Sequence, residues 1–148
     1  MDLEFYPVTA QKSCRLFEFE SISETKCIKK RIEFAILNKT AQLYNLALTD
    51  INQEGATSDI VISDNADMPK VMATVIHCLH QFLENHPSAT VLVRGNSPAR
   101  TRLYRAVISR EISKVKNFLE IYGTDGYVNE PFRINTHYEA FFIKLRSV

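Results

Sequence analysis

Apolar and polar residues alternate in three successive stretches near the start of the chain. In residues 14–22, Phe17 and Phe19 fall on one side and Glu18 and Glu20 on the other. That period of two predicts a half-buried strand. In residues 28–37, Ile28, Ile32, Phe34 and Ile36 share a face, with Lys29, Arg31 and Glu33 opposite; Lys30 interrupts the apolar side. A polar turn at 38–40 leads to residues 43–51, where Tyr44, Leu46 and Leu48 share a side. Three strands with short polar links predict an antiparallel meander. Residues 52–59 read as a polar loop, and Ile60, Val61 and Ile62 as a short strand at a sheet edge. The period then changes. Val71, Met72, Val75, Leu79, Phe82 and Leu83 recur at helical spacing. Asp67 is placed to cap this helix and Pro69 is tolerated in its first turn, while Asn85-His86-Pro87 stops it.

Residues 89–93 form a short apolar strand, and Gly95-Asn96-Ser97-Pro98 turns it into a second helix running to about Lys116. Ser97 is the expected N-cap and Pro98 the first helical residue. Residues 118–122 predict another strand, closed by Gly-Thr-Asp-Gly at 123–126. Residues 127–136 look irregular, broken by Pro131, and 137–146 make a final strand on which Phe141 and Phe142 face opposite ways. Residues 1–12 are a lead-in. The expected fold is α+β: one domain over residues 1–148, with two main helices on an antiparallel or mixed sheet of five to seven strands, in the order β-β-β-β-α-β-α-β-β.

Size and composition narrow the class. A chain of 148 residues can bury enough surface to fold without a metal or disulfide. Cys14, Cys27 and Cys78 are odd in number and widely spaced, which argues against a disulfide scaffold and for reduced thiols in a cytoplasmic setting. No basic start followed by an apolar run precedes the first strand, so no secretory leader is expected, and no apolar run is long enough for a membrane span. Oligomeric state is not legible.

Net charge is only +1, yet residues 94–116 carry seven basic side chains against Glu111 alone, a local balance of +6. That block coincides with the strand–turn–helix, and it nominates the binding face: Arg94, Gly95, Asn96, Ser97, Arg100, Arg102, Tyr104 and Arg105. A helix N-terminus behind a glycine turn offers free N–H groups to an anion, with Gly95 permitting close backbone approach and Asn96 and Ser97 donating. The helical wheel puts Arg102 and Arg105 together, away from a Leu103–Ala106–Val107 face. Tyr104 is available to stack a base. The turn lacks P-loop and dinucleotide-binding spacing, so an ordinary capped turn, with Ser97 serving the helix, is the reading it favours. Arginines in a first helical turn oppose the helix dipole, so Arg100 calls for a partner, internal or external. The internal candidates are Glu18, Glu20, Asp64 and Asp67.

Other chemistry finds less support. His77, Cys78 and His80 do not converge on one helix face, and His86 or His137 would have to arrive from elsewhere, so no metal is expected. No catalytic motif is present and no catalytic residue is nominated; Asp50 as a base, or Cys14 as a nucleophile, has no supporting pattern. No cofactor is expected.

At Gly95-Asn96-Ser97-Pro98-Ala99-Arg100-Thr101-Arg102-Leu103-Tyr104 the chain resembles a family of small uncharacterised proteins, a domain of unknown function found mainly in Bacteroidetes. Tyr44-Asn45-Leu46 and Tyr138-Glu139-Ala140-Phe141 extend the resemblance over nearly the whole chain. It implies cytosolic bacterial origin and carries no established activity. Asn96 stands where that family's turn has a smaller residue, which counts against a tight ligand contact there.

The leading expectation is therefore a non-enzymatic binding or regulatory module whose basic face, Arg94 to Arg105, meets nucleic acid or another polyanion. Two alternatives stand beside it. One is an enzyme binding a phosphorylated small molecule at Gly95-Asn96-Ser97; the other is an interaction module for an acidic protein.

Overall fold

In the computed structural model, residues 4–51, 57–58, 67–95 and 97–146 are described. The strand expected at 60–62, Asp64 and Asn96 lie outside them. Among the described residues the fold is α+β with two helices and a mixed sheet. The contacts divide it into two units, one of residues 1–35 and 47–85, the other of residues 36–46 and 86–148.

In the first unit, strand β2 (Leu16–Ile22) pairs antiparallel with β3 (Cys27–Asn38), Phe17 opposite Ile32 and Glu18 opposite Arg31. Strand β1 (Thr9–Gln11) lies on the outer side of β2, and β3 neighbours β4 (Leu43–Ile51). A two-residue strand, β5 (Thr57–Ser58), pairs antiparallel with the end of β4. Helix α1 (Met68–Asn85) buries Val71, Met72, Val75, Cys78, Leu79, Phe82 and Leu83, as its spacing predicts. Phe82 stacks on Phe34 with centroids 4.2 Å apart, so the helical and strand periods meet in one core.

Two charged residues break the apolar pattern here. Lys30 is 1% exposed and its Nζ lies 2.6 Å from Asp50 Oδ1. Both sit on the core side of their strands and neutralise each other there. Asp67 does stand at the start of α1, its carbonyl accepting from Lys70 and Val71. Its carboxylate, however, is taken by the Tyr6 hydroxyl and by Ser21 Oγ, the latter at 2.5 Å. Burial, and then the bond to Asp67, push the Tyr6 phenol up.

In the second unit, β6 (Thr90–Val93) joins β4 in parallel, Tyr44 opposite Val91. Strand β9 (Ala140–Leu145) runs antiparallel to β6, β7 (Leu119–Thr124) antiparallel to β9, and β8 (Asn129–Pro131) antiparallel to β7. Val91 and Val93 face Ile143 and Phe141 across the β6–β9 ladder, and all four are buried. Phe142 on the other side is half-buried, so the two adjacent phenylalanines face opposite ways as expected.

The strand order is β1-β2-β3-β4-β6-β9-β7-β8, with β5 off that path on β4. Among the described residues this gives eight strands and a short ninth, more than the five to seven expected. The additions are β1, β5 and β8, in stretches read as lead-in, loop and irregular chain. Each has two or three residues, too few to show an alternation.

Helix α2 (Pro98–Val115) buries Thr101, Tyr104, Val107 and Glu111. The expected face, Leu103–Ala106–Val107, is therefore corrected: Ala106 is exposed and Leu103 half-buried. Tyr104 has far more apolar surface to remove from water than Ala106, and the helix is rotated to bury it. Glu111 comes with it. Both of its carboxylate oxygens are buried without a hydrogen bond, with Lys114 at 3.3 Å and Arg110 at 3.7 Å as ion-pair partners. Among the described residues no helix is long and apolar enough to cross a membrane.

Candidate functional site: the cleft at the start of α2

Strand β6 ends at Val93, and the chain turns through Arg94 and Gly95 into α2. Ser97 caps the helix as its sequence predicts, with extended backbone and its Oγ accepting from the Arg100 N–H at 3.2 Å. Gly95 is needed here for a reason other than ligand approach. A Cβ on it would sit 2.4 Å from Cβ and Cγ of Arg100 and 2.5 Å from the Thr101 nitrogen. The space a side chain would fill is already taken by the first turn of α2.

The same turn consumes several of the N–H groups that a phosphate loop would offer. The Gly95 N–H donates to Thr101 Oγ1 at 3.1 Å, and Thr101 Oγ1 in turn donates to the Ser97 carbonyl at 3.2 Å. The Thr101 N–H goes to the Ser97 carbonyl, the Arg100 N–H to Ser97 Oγ, and Pro98 has none. Among the described groups of this turn, the Ser97 and Ala99 N–H groups are left. An anion here would be held chiefly by side chains, with at most these two amides beside them.

Those side chains are at hand. A cleft of about 390 Å³ opens beside the turn. Arg94, Gly95, Ser97, Pro98, Thr101 and Arg102 line it from the β6–α2 segment, and His137, Tyr138 and Glu139 from the segment entering β9. Its volume falls in the range of small-molecule sites. Arg94 and Arg102 are exposed, and among the described residues no carboxylate pairs with either. Of the acids named as internal partners, the three among the described residues are engaged elsewhere: Glu18 with Arg31 at 2.7 Å, Glu20 with the Cys27 thiol at 2.8 Å, and Asp67 with Tyr6 and Ser21.

The nominated residues divide into those that line the cleft and those that do not. Arg94, Gly95, Ser97 and Arg102 line it. Tyr104 is only 5% exposed, so its ring is not presented for stacking on a base. Burial raises its phenol pKa, and a hydrogen bond with Arg100 works in the opposite direction. Arg100 therefore has its partner inside the helix. Arg105 reaches His137 instead, Nη1 to Nδ1 at 3.4 Å; the guanidinium donates, so Nδ1 accepts. The basic block is not one continuous face. Arg110 and Lys114 flank Glu111, Arg100 and Arg105 are held locally, and Arg94 and Arg102 face the cleft.

Three cleft residues come from a part of the chain not nominated. Tyr138 is buried, with its ring laid over Gly123: a Cβ there would be 2.5 Å from ring carbons. Its hydroxyl donates to Glu130 Oε2 at 2.5 Å and accepts from the Arg133 N–H at 3.2 Å. This anchors the segment entering β9, and with it His137 and Glu139. The Glu139 N–H is fixed to the Thr124 carbonyl at 2.8 Å. The Tyr-Glu-Ala-Phe stretch was a family signal, but nothing in its spacing ties it to residues about forty positions earlier.

By sequence, the chain matches the model of a family of unknown function, DUF6934, over residues 2–146. The chain belongs to that family. No curated protein and no solved structure matches it.

Elsewhere the titratable groups of this DUF6934 member have structural explanations. His77 stacks on Phe5 with centroids 4.0 Å apart, and burial, then the charge of His80, lower its pKa. His80 pairs with Glu84, and no metal-binding group of His, Cys, Asp and Glu occurs among the described residues. Burial pushes the Cys78 thiol far up, and the bond to Glu20 raises Cys27, so neither is activated as a thiolate.

Proposed function

We propose that this chain is a binding module for a small phosphate-bearing ligand, held in the cleft at the start of α2 by Arg94 and Arg102. The observation that carries the reading is that two exposed arginines line one cleft with no carboxylate partner among the described residues. Arginine forks match phosphate oxygens bidentately, and Ser97 keeps its O–H free to donate while its oxygen accepts from the helix. His137 stands at the rim with Arg105 behind it.

This reading narrows the polyanion expectation. An extended nucleic-acid interface needs several cations in line with the backbone and, for single strands, an exposed aromatic platform. Here Tyr104 is buried and the remaining cations of α2 are engaged locally. The ligand is bound rather than turned over in this reading, in the reduced bacterial cytosol that three unpaired cysteines suit.

The test is competition. Ribose 5-phosphate should bind with a modest dependence on salt, and Arg102→Ala should weaken it about ten- to hundred-fold, the scale of a lost charged hydrogen-bond pair. Tighter binding of oligonucleotides, with a log–log salt slope much steeper than the roughly −2 that two phosphate contacts allow, would return the protein to the polyanion reading.

A further inference from the structure

Among the described residues, the cleft that holds the two unpaired arginines also holds an unpaired acid. Glu139 is exposed, and among the described residues its carboxylate makes no hydrogen bond or ion pair, although Arg94 and Arg102 line the same space of about 390 Å³. Opposite charges that share a small cleft ordinarily collapse onto each other. Here, among the described residues, no ion pair joins them. The Glu139 N–H is tied to the Thr124 carbonyl at the end of β7, and its side chain runs toward the β7–β8 turn. A Cβ placed on Gly126 in that turn would lie 3.1 Å from Glu139 Oε2. Arg94 and Arg102 belong to the other side, at the end of β6 and the first turns of α2.

We infer that Glu139 determines specificity and that the ligand is a hydroxylated phosphate monoester of the sugar-phosphate class. Its phosphate sits between Arg94 and Arg102 and its hydroxyls donate to Glu139. This inference rests on the phosphate-binding reading above. An ionised carboxylate only accepts hydrogen bonds, so the far end of the ligand has to supply donors. A second phosphate or carboxylate at that end meets like charge, and the acid rejects it. An ammonium there would pair with Glu139 once the phosphate has neutralised the two arginines, so tighter binding of 2-aminoethyl phosphate than of ribose 5-phosphate would overturn the hydroxyl assignment. The same acid disfavours a nucleic-acid strand, which carries a phosphate at every step.

A site built to pair with hydroxyls penalises an analogue that lacks them, because the polar group loses its water without gaining a partner. Calorimetric titration of the full chain with inorganic phosphate, ribose 5-phosphate and n-pentyl phosphate reads this directly. Ribose 5-phosphate is expected to bind at least about ten-fold tighter than n-pentyl phosphate, with Glu139→Ala reducing that ratio to about three-fold or less. Glu139 is exposed, so this variant keeps its fold, and thermal melting verifies that. Equal affinity for the two esters in the unaltered protein, or a hydroxyl preference that survives Glu139→Ala, overturns the inference while phosphate binding stands. If neither inorganic phosphate nor either ester binds, the phosphate-binding reading fails, and this one with it.

Discussion

Lys30 and Asp50 form an ion pair on the core side of β3 and β4, 2.6 Å apart and with Lys30 almost wholly buried. Removing one partner leaves the other charge without its neighbour in a low-dielectric interior, so Asp50→Ala should destabilise the protein by about 3–5 kcal/mol in urea unfolding. Replacing both, as Lys30→Met with Asp50→Leu, should cost far less; a double variant as unstable as the single one would mean that the pair does more than satisfy itself. Lys30 was visible in the sequence as a break in an apolar face, but its partner, twenty residues away on a strand of unknown register, was not. Gly95 is the reverse case. Its importance was legible and its reason was not, because the atoms it makes room for belong to the next helix. Gly95→Ala should lower stability by about 1–3 kcal/mol, the scale of overpacking, whether or not ligand is present. An unchanged melting temperature would show that the first turn of α2 can shift away.

Among the elements, those with long alternating or helical runs were legible: β2, β3, β4 and α1 form where the pattern put them, and α2 begins at Ser97-Pro98. The face of α2 was not, since its apolar residues spread around the helix and the choice between Tyr104 and Ala106 is made by the sheet it meets. The β7–β8 turn was read only as the end of a strand. Asp125 Oδ1 accepts the Tyr127 and Val128 N–H groups, both at 2.9 Å. These bonds, Val128 first, hold its carboxyl below the usual range. Glu130 is lowered likewise, first by Arg133 and then by Tyr138. Carboxyls with depressed folded pKa values stabilise the fold fully above their ordinary values, about 4, and lose that contribution as the pH falls through the lower folded values. Protection of the Tyr127 and Val128 amides, measured against their intrinsic exchange, should therefore fall between about pH 4 and pH 2, ahead of amides in β6. Turn and β6 amides that lose protection together would contradict a local effect. Because Glu139 lies against Gly126 in this turn, acid should also loosen the far end of the cleft.

At the scale of the molecule, the α+β class and the sequence of its main elements followed from periodicity, while the neighbours in the sheet did not. A parallel step from β4 to β6, and the return of β9 between β6 and β7, depend on pairings between strands tens of residues apart. Those pairings build the cleft, since they bring the segment entering β9 beside the start of α2. So the sequence nominated Arg94, Gly95, Ser97 and Arg102, which line the cleft, and gave no signal that His137, Tyr138 and Glu139 lie beside them, and its positive block looked like one surface when it is several separate arrangements. The central claim is that Arg94 and Arg102 receive a phosphate group. The most direct measurement is a titration of the isotope-labelled protein with inorganic phosphate, following amide and arginine side-chain resonances. Saturable shifts confined to residues 94–102 and 137–139 are expected, abolished in an Arg94→Ala, Arg102→Ala double variant that remains folded. Shifts spread evenly over the basic residues, or undiminished in the double variant, would contradict that claim.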